Sequence, residues 1–184
     1  MRKDALENRQ KILTIVRNLL DKQDLEQINM KQIANTADIG IGTLYRNYEN
    51  KSALAMDLVY DDMEAFIVQS EHDLQKNNVE NNNQFKIILT NYLNFREKNM
   101  SLLNQVENNA KQVSIFYQSD LHQKLVNIFK QAINELNPHS NAQELTFKAD
   151  MLIAMLKSDV YSFERNSRNL SQNKILDNII NLFK

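Results

Sequence analysis

From Arg9 to Leu20 the apolar residues Ile12, Leu13, Val16, Leu19 and Leu20 fall at offsets of 0, 1, 4, 7 and 8, one stripe of an amphipathic helix. After the polar stretch DKQDLEQI, Asn29 suits an N-cap. Met30, Ile33, Ala34 and Ala37 then predict a second helix of about two turns, with Lys31, Gln32, Asn35 and Thr36 on its other side. A third short helix begins near Gly40 or Ile41, with Ile41, Leu44, Tyr45 and Tyr48 on one side and Gly42, Thr43, Arg46 and Asn47 on the other. Asn50 can cap a long unbroken pattern over 51–76, in which Leu54, Leu58, Phe66 and Leu74 are buried candidates. The run NNVENNN at 77–83 reads as a loop, without an assigned function. Helical patterns follow over 85–99, 100–112 and 119–136, and Asn137-Pro138 is a natural stop.

The last two patterns span 142–165 and 170–183. Leu145, Ala149, Leu152, Leu156, Val160 and Phe163 make a near-heptad seam, and Ile175, Leu176, Ile179, Ile180 and Phe183 make another, which predicts a four-helix interface between two copies. No strand-like alternation competes and no internal repeat appears, so the expected fold class is all-α.

Composition reinforces this picture. Two glycines and one proline in 184 residues leave few positions that demand a turn or a break. The absence of cysteine excludes disulfides and thiolate catalysis. The charged N-terminus does not resemble a signal peptide, and no stretch approaches the roughly 18 apolar residues of a membrane span; the expectation is a cytoplasmic protein without a membrane partner. The net charge of −1 hides a slight asymmetry: residues 1–51 hold nine Lys or Arg against seven Asp or Glu, and the remainder thirteen against sixteen.

Two short helices joined by a tight turn, with a polar face left outward, form a helix-turn-helix pattern. The stretch NMKQIANTADIGIGTLYRNYENKSAL resembles the DNA-binding signature of the TetR family of bacterial transcriptional regulators. The residues that carry the resemblance are Ile33-Ala34, Ala37, Ile39, Gly42-Thr43-Leu44-Tyr45, Tyr48, and Lys51 with Leu54; upstream, Arg9, Ile12, Leu13, Leu19 and Leu20 match the family's first helix. The likeness covers about residues 5–60. It implies three N-terminal helices that bind double-stranded DNA (1–50), a connecting helix from 51 to about 76, and a helical domain over 51–184 for dimerisation and effector binding.

On that resemblance, small Gly42 lets backbone approach phosphate, and Thr43, Tyr45 and Lys51 are expected to hold the DNA backbone. Ile41, Gly42, Thr43, Arg46 and Asn47 are candidates for base edges, while Asn29, Lys31 and Gln32 lie over flanking backbone. Leu44 and Tyr48 are expected in the core. The family's turn usually reads Ala-Gly-Val-Ser; here it is Ala37-Asp38-Ile39-Gly40, with Asp38 where glycine is common. Asp tolerates the left-handed conformation better than most residues, so the turn is expected to survive.

In the C-terminal half Tyr92, Phe95, Met100, Phe116, Tyr117, His122, Phe129, Met151 and Met155 are candidates for lining an effector pocket, although such residues at helical spacing more often form core. The scarcity of charge in this set favours a neutral or apolar effector. Gly40-Ile41-Gly42 lacks the third glycine and preceding strand of a dinucleotide fold, and His72, His122 and His139 lack metal-ligand spacing. Asp61-Asp62 reads as a solvated face. No catalytic constellation or cofactor is implied, so an enzyme is not expected. The expected function is a dimeric repressor of a palindromic operator, released by a small-molecule effector. The alternative is a helical interaction protein of TetR-like shape that acts through a protein partner, motivated by the near-neutral charge and by Asp38.

Overall fold

The computed structural model describes residues 3–75 and 84–183. Every regular element among the described residues is helical: α1 Lys3–Leu20, α2 Met30–Thr36, α3 Ile41–Asn47, α4 Lys51–Leu74, α5 Gln84–Lys98, α6 Met100–Glu107, α7 Ala110–Tyr117, α8 Asp120–Leu136, α9 Ala142–Met155, α10 Ser158–Ser162, a π-helical turn Phe163–Ser167, and α11 Gln172–Phe183. The all-α expectation holds. The loop expected at 77–83 lies outside the described residues. No described helix is long and apolar enough to cross a membrane.

Local chemistry accounts for most of the boundaries. The side chains of Asn29, Asn50, Asn109, Ser119 and Asn141 each accept a hydrogen bond from a backbone N–H in the first turn of α2, α4, α7, α8 and α9, and Asn141 forms a reciprocal capping box with Glu144. The cap at Asn109 divides the single pattern expected over 100–112 into α6 and α7. The expected helix over 142–165 is also divided. Lys157 is extended, with φ −56° and ψ 152°. The Glu107 carboxylate accepts the Ser158 N–H at 2.6 Å, and Arg96 Nη2 donates to Ser158 Oγ at 3.0 Å. A cap supplied by distant helices thus starts α10 where periodicity alone continues α9.

Helix α4 is the axis of the molecule. It packs against α5, α6, α7 and α8; α9 packs on α8, and α11 on α5. One apolar cluster runs from Ile12, Val16, Ile33 and Leu44 through Leu54 and Leu58 to Phe85, Phe129, Leu152 and Phe183. The seam residues Leu145, Ala149, Leu152, Leu156, Ile175, Leu176, Ile179 and Phe183 are buried inside the chain. These eight positions are therefore not a free interface, which corrects that part of both expected seams. Two further seam residues, Val160 and Phe163, face outward, as do the neighbouring Phe147, Met151, Met155 and Leu182.

Candidate nucleic-acid interface and interior cavity

The α2–α3 unit is set by a few short-range devices. Asn29 Oδ1 accepts the Gln32 N–H at 2.9 Å, Ala37 ends α2, and Ile39 N–H donates to Ala34 O at 3.0 Å. The left-handed position of the turn is taken by Asp38, at φ 50°, and no glycine has positive φ. Gly40 has φ −63° and precedes α3 without a side-chain cap. Leu44 and Tyr48 face the core, as expected, while Ile41 and Tyr45 are 43% and 51% exposed.

Thr43 organises the outward side of α3. Its Oγ1 accepts from Arg46 Nη2 at 2.9 Å, and its carbonyl accepts from Asn47 Nδ2 at 2.8 Å. Asn29, Lys31, Gly42, Arg46 and Asn47 are exposed, and Gln32 and Thr43 are half-buried. A Cβ built on Gly42 meets no atom within 4 Å. The absence of a side chain there serves neither an unusual backbone angle nor a crowded interior. Neither α2 nor α3 contains an acidic residue. Glu49, just beyond α3, pairs with Lys111 of α7, which leaves Asp38 as the carboxylate in the turn itself.

Lys51 stands apart from this face. Its Nζ donates to the carbonyls of Leu25 at 2.8 Å, Glu26 at 3.1 Å and Ile28 at 2.9 Å. All three protons of the ammonium are thereby engaged inside the chain, and the residue staples the α1–α2 connection to the start of α4. Lys51, expected to hold phosphate, is thus turned toward these carbonyls.

The Asp61-Asp62 pair, expected as a solvated face, belongs to a clamp between α1 and α4. Arg9 grips Asp57 with Nε on Oδ2 at 2.8 Å and Nη2 on Oδ1 at 2.6 Å, and reaches Asp61 at 3.3 Å. Arg17 pairs with Asp62 at 3.1 Å and Asp61 at 3.7 Å, and Lys98 of α5 approaches Asp62 at 3.4 Å. Tyr48 Oη, at the end of α3, donates to Asp57 Oδ2 at 2.6 Å. The hydrogen bond to Asp57 raises the Arg9 pKa; burial first, then Asp57, raises that of Tyr48.

Beneath the clamp lies a cavity of about 50 Å³. Met56, Val59, Tyr60 and Met63 of α4 wall one side, Val113, Phe116 and Tyr117 of α7 another, and Tyr92, Arg96, Glu107 and Lys157 bring polar groups to it. Of the candidates from sequence, Tyr92, Phe116 and Tyr117 line this space. Phe95 and Phe129 lie behind it, their rings stacked on and edge-on to Tyr92 at 5.8 and 5.0 Å. His122 sits edge-on to Phe116 and Tyr117, and burial lowers its pKa against the opposing pull of Asp150. Met100 packs against the core, and Met151 and Met155 are on the outer surface because they lie on the face of α9 turned away from α8.

Sequence reasoning missed Arg96, Glu107 and Lys157. Arg96 is 2% exposed; its Nη2 donates to Glu107 Oε1 at 2.9 Å, and its Nε has no hydrogen-bond partner. Burial pulls its pKa down, but Tyr92 and Glu107 outweigh that and leave it raised. One signal was available. Ile88, Tyr92 and Arg96 are spaced by four residues, which places a cation on the apolar stripe of α5.

No family model matches the chain. Two HTH-type transcriptional regulators of Staphylococcus aureus are 30% and 32% identical to it, over 99% and 100% of this chain and 95% and 96% of their own lengths. Among solved structures, Thermus thermophilus FadR, a TetR-family repressor in complex with lauroyl-CoA, aligns with a TM-score of 0.74 at 12% identity over 95% of this chain and 92% of its own. Bacillus subtilis FadR in complex with stearoyl-CoA aligns at 0.66 and 15% identity over 95% and 96%. SmeT, the repressor of a Stenotrophomonas maltophilia multidrug efflux pump, aligns at 0.62 and 12% over 95% and 87%. These likenesses at low identity establish the shared fold, and the curated relatives disfavour the protein-partner alternative. With full-length relatives that are HTH-type transcriptional regulators, the chain belongs to the HTH-type transcriptional regulators, and its fold is that of the TetR-family repressors.

Proposed function

We propose that the chain is a dimeric repressor that binds a palindromic operator in the cytoplasm through residues 1–50 and releases it when a small molecule occupies the cavity in residues 51–184. The observation that carries the DNA reading is the outward side of α3: Ile41, Gly42, Tyr45, Arg46 and Asn47 are exposed on a helix without acidic residues, and Gly42 leaves open space. In this reading Tyr45 and Thr43 hold phosphate, Arg46, Asn47 and Ile41 meet base edges, and Asn29, Lys31 and Gln32 flank them. Lys51 supports the unit from within.

Dimerisation is required because one short helix reads only a few base pairs. The outward residues Phe147, Met151, Met155, Val160, Phe163 and Leu182 supply an apolar face for it. Coupling runs through α4, which alternates cavity wall and clamp within three turns: Met56, Val59, Tyr60 and Met63 line the space, while Asp57, Asp61 and Asp62 grip α1. An effector acts only by preferring one position of α4 to another.

Footprinting on the promoter regions around its own gene tests this reading. The expected outcome is a two-fold symmetric protected site whose affinity drops steeply with salt. Absent or salt-insensitive binding contradicts it.

A further inference from the structure

The cavity carries a charge pattern that fits one class of ligand, provided that it is the effector site proposed above. Arg96, Glu107 and Lys157 are its charged wall residues, with a net charge of +1. Both oxygens of Glu107 are engaged, Oε1 by Arg96 and Oε2 by the Ser158 N–H, so its carboxylate has little left for a cationic ligand. The two cations are less fully used. Arg96 is buried with Nε unpartnered, and Lys157 is half-buried with Nζ 5.8 Å from the Tyr117 ring centroid. No ion pair involves Lys157 among the described residues. A buried N–H without an acceptor costs free energy that an incoming acceptor recovers.

Position adds direction. Glu107, Val113, Tyr117 and Lys157 line both the cavity and a shallow surface groove, so Glu107 and Lys157 stand at the threshold, with buried Arg96 and the apolar walls of α4 inside. The space of about 50 Å³ must widen to admit a ligand, and α7 is the wall suited to yield, with eight residues of which only Gln112 is buried.

We propose that the cavity takes a small monocarboxylate with an apolar body, its acid group held between Lys157 at the threshold and Arg96 behind it, and its body laid against α4. Displacement of α7 then also disturbs the Lys111–Glu49 pair beside the end of α3. The neutral effector expected from the aromatic and methionine residues alone is replaced by an anionic one, because the deciding charges come from α5, α6 and the α9–α10 junction.

Calorimetric titration of the full chain with octanoate, 1-octanol and octylamine separates the charge from the tail. Octanoate is expected to bind about tenfold tighter than octanol, the worth of one charge-assisted hydrogen bond, and octylamine weakest. Lys157→Met is expected to bring octanoate close to octanol while leaving octanol unchanged; circular dichroism checks that this variant is folded. Octanol or octylamine binding as tightly as octanoate overturns the carboxylate assignment and leaves an effector site of other chemistry. Octanoate affinity indifferent to Lys157→Met overturns it as well. Binding by none of the three removes both the assignment and the cavity as effector site. Octanoate that binds with the expected charge preference but leaves the operator complex intact supports the assignment and removes only the release mechanism.

Discussion

The outward face of α3 and the wall of the interior cavity both present polar side chains, but they differ in where those side chains find partners. On α3, Arg46 and Asn47 bond to Thr43 within the same helix, Tyr45 stands out in solvent, and Gly42 leaves a gap that no internal contact requires. In the cavity, Arg96 of α5, Glu107 of α6 and Ser158 of α10 close on one another across the bundle, and Arg96 Nε is left over. The first surface can lose a side chain with little harm to the fold and, on the proposed reading, much to recognition. The second is part of the fold, so its binding chemistry and its stability are measured by the same residues.

The largest effect is expected where burial is deepest. Glu107→Ala leaves the Arg96 guanidinium uncompensated and uncaps α10, at a cost of about 3 kcal/mol. In a chain of this length that lowers the melting temperature by roughly 6–12 °C. A melt indistinguishable from the parent contradicts the structural weight given to the pair. Next, Lys51→Met orphans three carbonyls and is expected to cost about 2 kcal/mol in urea unfolding. Its operator affinity, measured well below the melting temperature, should stay within about twofold, since the three loop carbonyls take up this ammonium. A large uniform loss of DNA affinity in a stable Lys51→Met protein returns Lys51 to the interface.

Gly42→Ala sharpens the contrast from the other side. Alanine favours the helix over glycine by about 0.5–1 kcal/mol, and the added methyl meets nothing, so stability should rise. Operator affinity should nevertheless fall at least about tenfold, or about 1.4 kcal/mol, if α3 backbone lies close against DNA. Opposite signs for folding and binding are the signature to look for; unaltered binding means that the space beside Gly42 remains empty in the complex.

The same contrast explains what was legible in the sequence. The ends of α2 and α3, the burial of Leu44 and Tyr48 and the left-handed Asp38 follow from neighbours within four residues, and periodicity and cap chemistry report such neighbours. The partners of Lys51 lie 23 to 26 residues upstream, and Glu107 caps a helix 51 residues away. Nothing local marks either arrangement. The seams on α9 and α11 were visible as apolar stripes, but a stripe says that a helix is covered and not what covers it. For Leu152 and Ile179 the cover is this chain's own core. The aromatic and methionine residues failed as a guide to the cavity for a related reason: Phe129 and Met155 share a residue class, yet one is fully buried and the other faces outward.

Tyr48 joins the two regions, closing α3 while its hydroxyl rests on Asp57 of the clamp. At neutral pH Tyr48→Phe removes one hydrogen bond to a carboxylate that Arg9 still holds, for a loss of about 1 kcal/mol. The more telling comparison is alkaline. The folded pKa of Tyr48 lies above its ordinary value of 10.0, because of burial and then of Asp57, so the native state keeps a proton that the unfolded chain releases. The stability contributed by this group is therefore intact below about pH 10 and declines as the pH rises further. Tyr92 and Tyr161 are raised in the same direction, each mainly by burial, and they add to the decline in the parent and the variant alike. Urea midpoints followed from pH 9 to pH 11 should fall in both proteins and fall less steeply in Tyr48→Phe. Equal slopes would mean that the Tyr48 hydroxyl is neither buried nor held on Asp57 in solution, and that this group does not link α3 to the clamp.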